Sequence, residues 1–267
     1  MIENIRARWL ELSHEHRGNL VEWVTEQAIR NYCRAGDTAI DIGANYGAHT
    51  HTMLVQVGPT GRVIAFEANP DITPHLLTWV ARHPSLEVRQ VALSDHAGRA
   101  QFYVCDNAGF SSLNQGEIER HGQIAKKVID VNLDTLDDCL MASLTSVRLI
   151  KIDVEGAELP VLRGAKQVMD TFKPVVIVEM SAAELRRLEP KAYSIFESRT
   201  LGDGYTLVSV LGEVVSDPAP GDYQFFLVPT QDPTVIDEIC VIARNASAQF
   251  FEEKRQGWTP YQKFQTS

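Results

Sequence analysis

Apolar residues recur along this chain with two different periods, and the places where the period changes mark its elements. Over the first forty positions Leu20, Val21, Val24, Ala28 and Ile29 fall at helical spacing, and the stretch stops at Ala35-Gly36-Asp37. Residues 38–42 (TAIDI) then form a short apolar run that enters a glycine-bearing loop, followed by helical spacing from His49 to Val57. Gly58-Pro59-Thr60-Gly61 breaks that helix, and a second buried strand from Val63 to Phe66 closes on Glu67. The alternation predicts a helix over 71–82, strands at Leu86 to Ala92 and Ala100 to Val104, a strand near Lys127 to Leu133, and a short helix at 134–142. Ser146 to Asp153 reads as a central strand, Leu159 to Met169 as one helix with Pro160 in its first turn, and Pro174 to Met180 as a further strand. Repeated strand–helix units with fully apolar strands predict a mainly parallel sheet covered by helices on both faces.

Two regions depart from this rhythm. Residues 106–125 carry few apolar positions and read as a mobile loop or lid. The runs Tyr205 to Val210 and Tyr223 to Val228, separated by a Gly/Pro/Asp-rich turn, predict an antiparallel pair at one sheet edge, with a helix over 233–251 beyond it. The resulting division is an N-terminal helical extension (1–36), a core domain (37–230), and a C-terminal helix and tail (231–267). In that tail Trp258 and Tyr261 suit either packing on their own domain or anchoring a second copy, so a homo-oligomer stays open.

Composition narrows the function classes. With 25 Lys+Arg against 35 Asp+Glu the formal charge is −10, and no basic run tracks a phosphate backbone, which argues against nucleic acid and anionic membranes as partners. Cys33, Cys105, Cys139 and Cys240 are scattered without metal-ligand spacing, and no apolar run approaches ~18 residues. A soluble cytoplasmic enzyme with reduced thiols is the expectation.

The candidate chemistry sits at predicted strand ends. Residues 41–47 (DIGANYG) follow the first strand, and Gly43 and Gly47 permit a tight turn and close ligand approach while the next helix offers free N–H groups. The candidates here are Asp41, Gly43, Ala44, Asn45 and Gly47. A third glycine is missing, so the loop does not read as a dinucleotide pyrophosphate site, and acidic Asp41 tolerates a ligand with a positively charged amino-acid end. Glu67, with Ala68 beside it, lies where a carboxylate can accept two hydrogen bonds from a ribose diol. Ser94 and Asp95, after the third strand, stand where an adenine amino group would lie. An ordinary strand–helix turn, a solvated strand end and a common Ser-Asp turn are the plain alternatives for these three places.

The runs DIGANYG, AFEANP (65–70), VALSD (91–95), GFSSL (109–113) and especially LIKIDVEGAELPVLRGA (149–165) resemble the FkbM family of S-adenosylmethionine-dependent methyltransferases, over roughly residues 37–185. The resemblance implies a Rossmann-like class I methyltransferase fold of the α/β class, with a mainly parallel seven-stranded sheet whose last strand is antiparallel. It also implies S-adenosylmethionine as cofactor and O-methylation of a hydroxyl on a sugar, polyketide or other secondary metabolite.

Methyl transfer from a sulfonium is an in-line displacement, and an alcohol needs a base near the methyl group. Lys151, Asp153 and Glu155 alternate at the end of the fourth parallel strand, so on an extended segment they share a face while Ile152 and Val154 enter the core. Asp153 is the first candidate base and Glu155 the second, with Lys151 tuning them; the alternative is that Lys151 is solvated or ion-paired and that Glu155 and Glu158 cap the next helix. Ser111, Ser112 and Glu179 are candidate acceptor contacts, and Phe110 belongs to the same loop. Asp153, Glu155 and Glu179 suit a divalent cation by ligand type, but spacing assigns no metal. His49 and His51 receive no role. The rival readings are a nicotinamide-dependent oxidoreductase, a nucleic-acid methyltransferase, and a non-catalytic cofactor-binding module.

Overall fold

The computed structural model describes residues 2–180, 204–215 and 222–255. Two helices open the chain, α1 (Ile2–Glu11) and α2 (His14–Tyr32), in place of one helical stretch. The break is at Ser13, whose side chain accepts the His16 N–H as an N-cap. Then follow β1 (Thr38–Ile42), α3 (Ala48–Val57), β2 (Arg62–Phe66), α4 (Thr73–Val80), β3 (Leu86–Arg89), β4 (Ala92–Leu93) and β5 (Gly98–Cys105). A 3₁₀ turn (Ala108–Phe110) and α5 (Gln115–Arg120) lead to β6 (Ala125–Asp134) and α6 (Leu136–Leu140). The chain continues with β7 (Leu149–Ile152), α7 (Glu158–Gly164), α8 (Lys166–Phe172), β8 (Val175–Glu179), β9 (Tyr205–Ser209), β10 (Gln224–Pro229) and α9 (Pro233–Arg255).

The main sheet has seven strands in the order β3-β2-β1-β7-β8-β10-β9. The five strands from β3 to β8 are parallel, and β10, last in the chain, runs antiparallel to both of its neighbours. This is the class I methyltransferase arrangement. The antiparallel pair near the C-terminus is therefore present, but only β9 is an edge; β10 inserts between β8 and β9. Strand side chains alternate between two apolar layers. Ala39, Val63, Leu149 and Val175 pack with Leu20, Val24, Met53 and Ile239 on one face, and Ile40, Ile64, Ile150 and Val176 pack with Leu136, Val161 and Val168 on the other. Helices α2 and α9, from the two ends of the chain, thus cover the same face as α3. All four cysteines are free thiols, and among the described residues no helix is long and apolar enough to cross a membrane.

Three expectations about elements need correction. The predicted strand 86–92 is two strands: β3 joins the main sheet, while β4 joins a separate three-stranded sheet of order β4-β6-β5. Alternating burial identifies a strand without saying which sheet it joins. The predicted helix 159–169 is also two elements. The Asp137 carboxylate accepts the N–H groups of Gln167 and Val168 at 2.8 and 2.9 Å and caps α8, while Gly164 lies against the Ser94 carbonyl, 2.0 Å from where a Cβ would stand. Finally, the 106–125 loop contains the 3₁₀ turn and α5, each started by an asparagine side chain that accepts a backbone N–H two residues on.

Candidate functional site

The carboxyl ends of β1, β2, β7 and β8 open on one cavity of about 470 Å³, the place where open α/β sheets bind ligands. Gly43 leaves β1 with φ +79°, and a Cβ there would lie 1.7 Å from the Asp153 carbonyl oxygen, so the β1 and β7 loops meet backbone to backbone. Gly43 and Ala44 both donate N–H bonds to the Phe66 carbonyl at 3.0 Å, which fixes the β1 loop over β2. Asn45 follows at φ 49° and donates its N–H to Glu67 Oε2 at 2.8 Å. Gly47, at φ +85°, begins α3 with Leu76 and Trp79 packed where its side chain would be.

Glu67 is buried and lines the cavity. Its Oε1 accepts the Asn69 N–H at 2.7 Å, so both carboxylate oxygens are oriented by backbone donors. Burial raises its pKa above the ordinary value, and these two N–H groups partly oppose that shift. Ala68 lies beside it on the wall. Next to them Val91, Ala92 and Leu93 form an apolar surface suited to an aromatic base.

Several sequence candidates serve this cavity without reaching it. Asp41 is fully buried beneath the loop, accepts the Thr50 hydroxyl at 2.6 Å, and lies 3.9 Å from Lys151 Nζ. Ala44 and Gly47 shape the turn but do not line the space. Ser94 donates its N–H to Asp134 O and presses on Gly164, and Asp95 is bound to His96 at 2.7 Å with Arg163 nearby. The cavity wall here is thus formed by residues 91–93, and Ser94 and Asp95 do not line it.

At β7 the three alternating charges separate, because the strand ends at Ile152 and Glu155 takes a left-handed turn at φ 54°. Asp153 and Glu155 line the cavity, while Lys151 sits below and donates to Asp153 Oδ2 at 2.9 Å. Burial disfavours the Lys151 ammonium, but Asp153 and Asp41 outweigh it and raise its pKa. Glu158 is structural: its Oε1 accepts the N–H groups of Val154 and Gly156, which fold the turn, and burial lifts its pKa to about 7. Burial, with Asp153, Glu158 and Glu117 nearby, lifts Glu155 to about 9.

The 106–125 segment closes one side. Phe110 and Ser111 line the cavity; the Ser111 hydroxyl accepts the Cys105 N–H at 3.1 Å. Ser112 is fully buried and off the wall, donating to the Glu155 carbonyl at 2.6 Å and so tying this segment to the β7 turn. Glu179, at the end of β8, lines the cavity, and burial together with Asp153 and Glu155 holds its pKa well above the ordinary carboxylate value.

One acidic lining residue has no counterpart among the sequence candidates. Glu22, on α2, reaches the cavity, and its carboxylate lies with those of Asp153 and Glu179 so that one oxygen of each falls within 4.8 Å of the others. The acidic set thus includes Glu22 in the place where spacing suggested Glu155. His49 Nε2 stands 3.4 Å from Glu22, and burial lowers its pKa to about 4, leaving it neutral. The only sequence signal for Glu22 is an acid inside an otherwise apolar stretch, Leu20-Val21-Glu22-Trp23-Val24.

The model of the methyltransferase FkbM domain matches residues 41–198, a span that holds every lining residue of the cavity except Glu22. The 2-O-methyltransferase NoeI of Sinorhizobium fredii (strain NBRC 101917 / NGR234) is 29% identical over 161 residues, which are 55% of this chain and 64% of that protein. Among solved structures, the methyltransferase FkbM from Methylobacillus flagellatus KT aligns with a TM-score of 0.46 at 17% identity, over 72% of this chain and 43% of that one. Aeropyrum pernix fibrillarin with natively bound S-adenosyl-L-methionine aligns with a TM-score of 0.44 at 16% identity, over 77% and 76% of the two chains. The chain thus spans less than two thirds of the curated relative's length and less than half of the Methylobacillus protein's.

Proposed function

The chain belongs to the methyltransferase FkbM domain family, and from that premise we propose that it methylates a hydroxyl of a small acceptor such as a sugar, a polyketide or another secondary metabolite. Its cofactor is S-adenosylmethionine. Membership in this family replaces the nicotinamide alternative. The cavity fits the cofactor in three ways. Gly43 leaves space that a Cβ would fill, Glu67 holds two oriented acceptor oxygens for a ribose diol, and the 91–93 wall suits adenine. The buried Asn45 Oδ1 has no hydrogen-bond partner among the described residues, and it suits the donor of an amino-acid ammonium.

When bound, the cofactor supplies an electrophilic methyl on a positively charged sulfur. The chain's own residues then have separable tasks. Asp153 accepts the acceptor's hydroxyl proton, and the salt bridge from Lys151 fixes where its carboxylate points. Glu155, protonated at neutral pH, donates a hydrogen bond to the acceptor and does not act as base. Glu179 and Ser111 contact the acceptor, and Phe110 excludes water. Lys151, Ser112, Asp41 and Gly47 position these groups.

The observation that carries this reading is that Glu67 and Asp153, on strands separated only by β1, face one cavity. The test is incubation with methyl-labelled S-adenosylmethionine and fractionated cell metabolites, followed by Asp153→Asn on whichever acceptor becomes labelled. We expect a rate loss of roughly 10²–10⁴-fold, the usual contribution of a general base. A wild-type rate in that variant would remove Asp153 from the mechanism.

A further inference from the structure

Strand order sets a direction across the cavity. Glu67 follows β2, Gly43 and Asn45 follow β1, Asp153 follows β7 and Glu179 ends β8, and these strands are consecutive neighbours in the sheet. With strands about 4.8 Å apart, Glu67 and Glu179 sit roughly 14 Å from each other. Glu22 joins the far end, because its carboxylate is grouped with those of Asp153 and Glu179. Glu67 would hold the ribose and the β1 loop the amino-acid end, and the cofactor would then supply its methylsulfonium to the side of the cavity that Asp153 lines.

We propose that Glu22, with Asp153 and Glu179, forms an anionic pole that binds the cationic methyl donor in preference to the demethylated, uncharged-sulfur product, which makes α2 part of the active site. This deepens the methyltransferase reading and rests on it. The bond change itself supplies the contrast: the sulfur is positively charged while it carries the methyl, and it regains a lone pair when the methyl leaves for the acceptor oxygen. The pole then weakens its hold at the moment the product must depart.

The described charged groups packed around this pole include Lys151, His49, Glu158, Glu117 and Glu155. Lys151 pairs with Asp153 and Asp41 from below, interacts with Glu22 as well, and does not line the cavity. His49 beside Glu22 is neutral. Glu158 is bound to the backbone of the β7 turn, and Glu117 to Arg120 and His121. Burial, with Asp153 and Glu155 nearby, holds the Glu179 carboxyl well above the ordinary value, so a cation bound beside it favours the charged form and draws protons off.

The test is calorimetry on the full chain at pH 7, in two buffers of different ionisation enthalpy, with three probes. These are S-adenosylmethionine, S-adenosylhomocysteine, and sinefungin, which carries an ammonium in place of the methylsulfonium. We expect the two cationic probes to bind on the order of tenfold tighter than S-adenosylhomocysteine, about two thirds of one charge–charge interaction at ~8 Å and an effective dielectric constant near 20, and to release protons. In Glu22→Gln that preference falls toward unity while S-adenosylhomocysteine affinity is unchanged; Glu179→Gln gives the same contrast should the first variant fold poorly. Equal affinity for all three probes in the wild type overturns the inference and leaves the methyltransferase reading standing. So does an equal loss for all three in Glu22→Gln, which marks a structural role. Micromolar binding of Mg²⁺ alone, abolished by Glu22→Gln, overturns it in favour of a metal site. Failure of every probe to bind overturns the cofactor reading as well.

Discussion

Replacing Lys151 by methionine should destabilise the protein in a strongly pH-dependent way. The side chain is buried, and it is the cation 2.9 Å from Asp153 and 3.9 Å from fully buried Asp41. Methionine keeps the volume but leaves two carboxylates facing each other without the ammonium. Removing one partner of a buried ion pair costs about 3–5 kcal/mol, a large fraction of the roughly 5–15 kcal/mol that holds an ordinary domain together. At about 2–4 °C per kcal/mol for a chain of this size, the melting temperature should fall by roughly 10 °C at pH 7. The sign with pH follows from the orphaned acids. The two carboxylates repel each other only while both are charged, so the variant's deficit is smallest in acid and grows toward neutrality. Thermal unfolding of both proteins between pH 4 and pH 8 should therefore show curves that converge in acid and separate toward neutrality. A variant as stable as the wild type at pH 7, or a deficit that does not change with pH, would refute the assignment of Lys151 as the buried counter-ion.

Two further predictions follow from the same geometry. Glu155 is raised to about 9 by burial and its acidic neighbours, so Glu155→Gln should match the wild type at pH 4 and become more stable than it by roughly 4–5 kcal/mol near pH 8; urea midpoints at the two pH values measure this. Asp137 is buried and caps α8 from a distance in the chain, so Asp137→Ala should cost about 2 kcal/mol while S-adenosylhomocysteine affinity by calorimetry stays at the wild-type value.

The fold was readable where a local pattern decides it. Apolar runs such as TAIDI and RVIAF, set between Gly/Pro breaks, can only be strands buried on both faces, and carboxylates at strand ends, Glu67, Asp153 and Glu179, mark the side on which the cavity opens. What stayed hidden was imposed from far along the chain. Nothing near residue 165 announces that Asp137 will split a helix there, and the LEVRQVAL segment carries one alternation through two sheets. Ser94 and Asp95 stand at a strand end, as their positions say, yet partners from β6 and α7 turn them away from the cavity. Glu22 is the clearest case. Helical periodicity says which side of α2 is covered, but not that one acid on it meets the tips of β7 and β8.

The placement of β10 has a consequence for synthesis. Because this strand wedges between β8 and β9, the sheet cannot close until residues 224–229 have left the ribosome. Until then β8 presents Val175, Val176, Ile177 and Val178 along an open edge, the kind of surface that recruits another chain. Truncated or stalled chains ending before Gln224 should therefore collect in inclusion bodies or on chaperones, while those that also carry α9, past Arg255, should not.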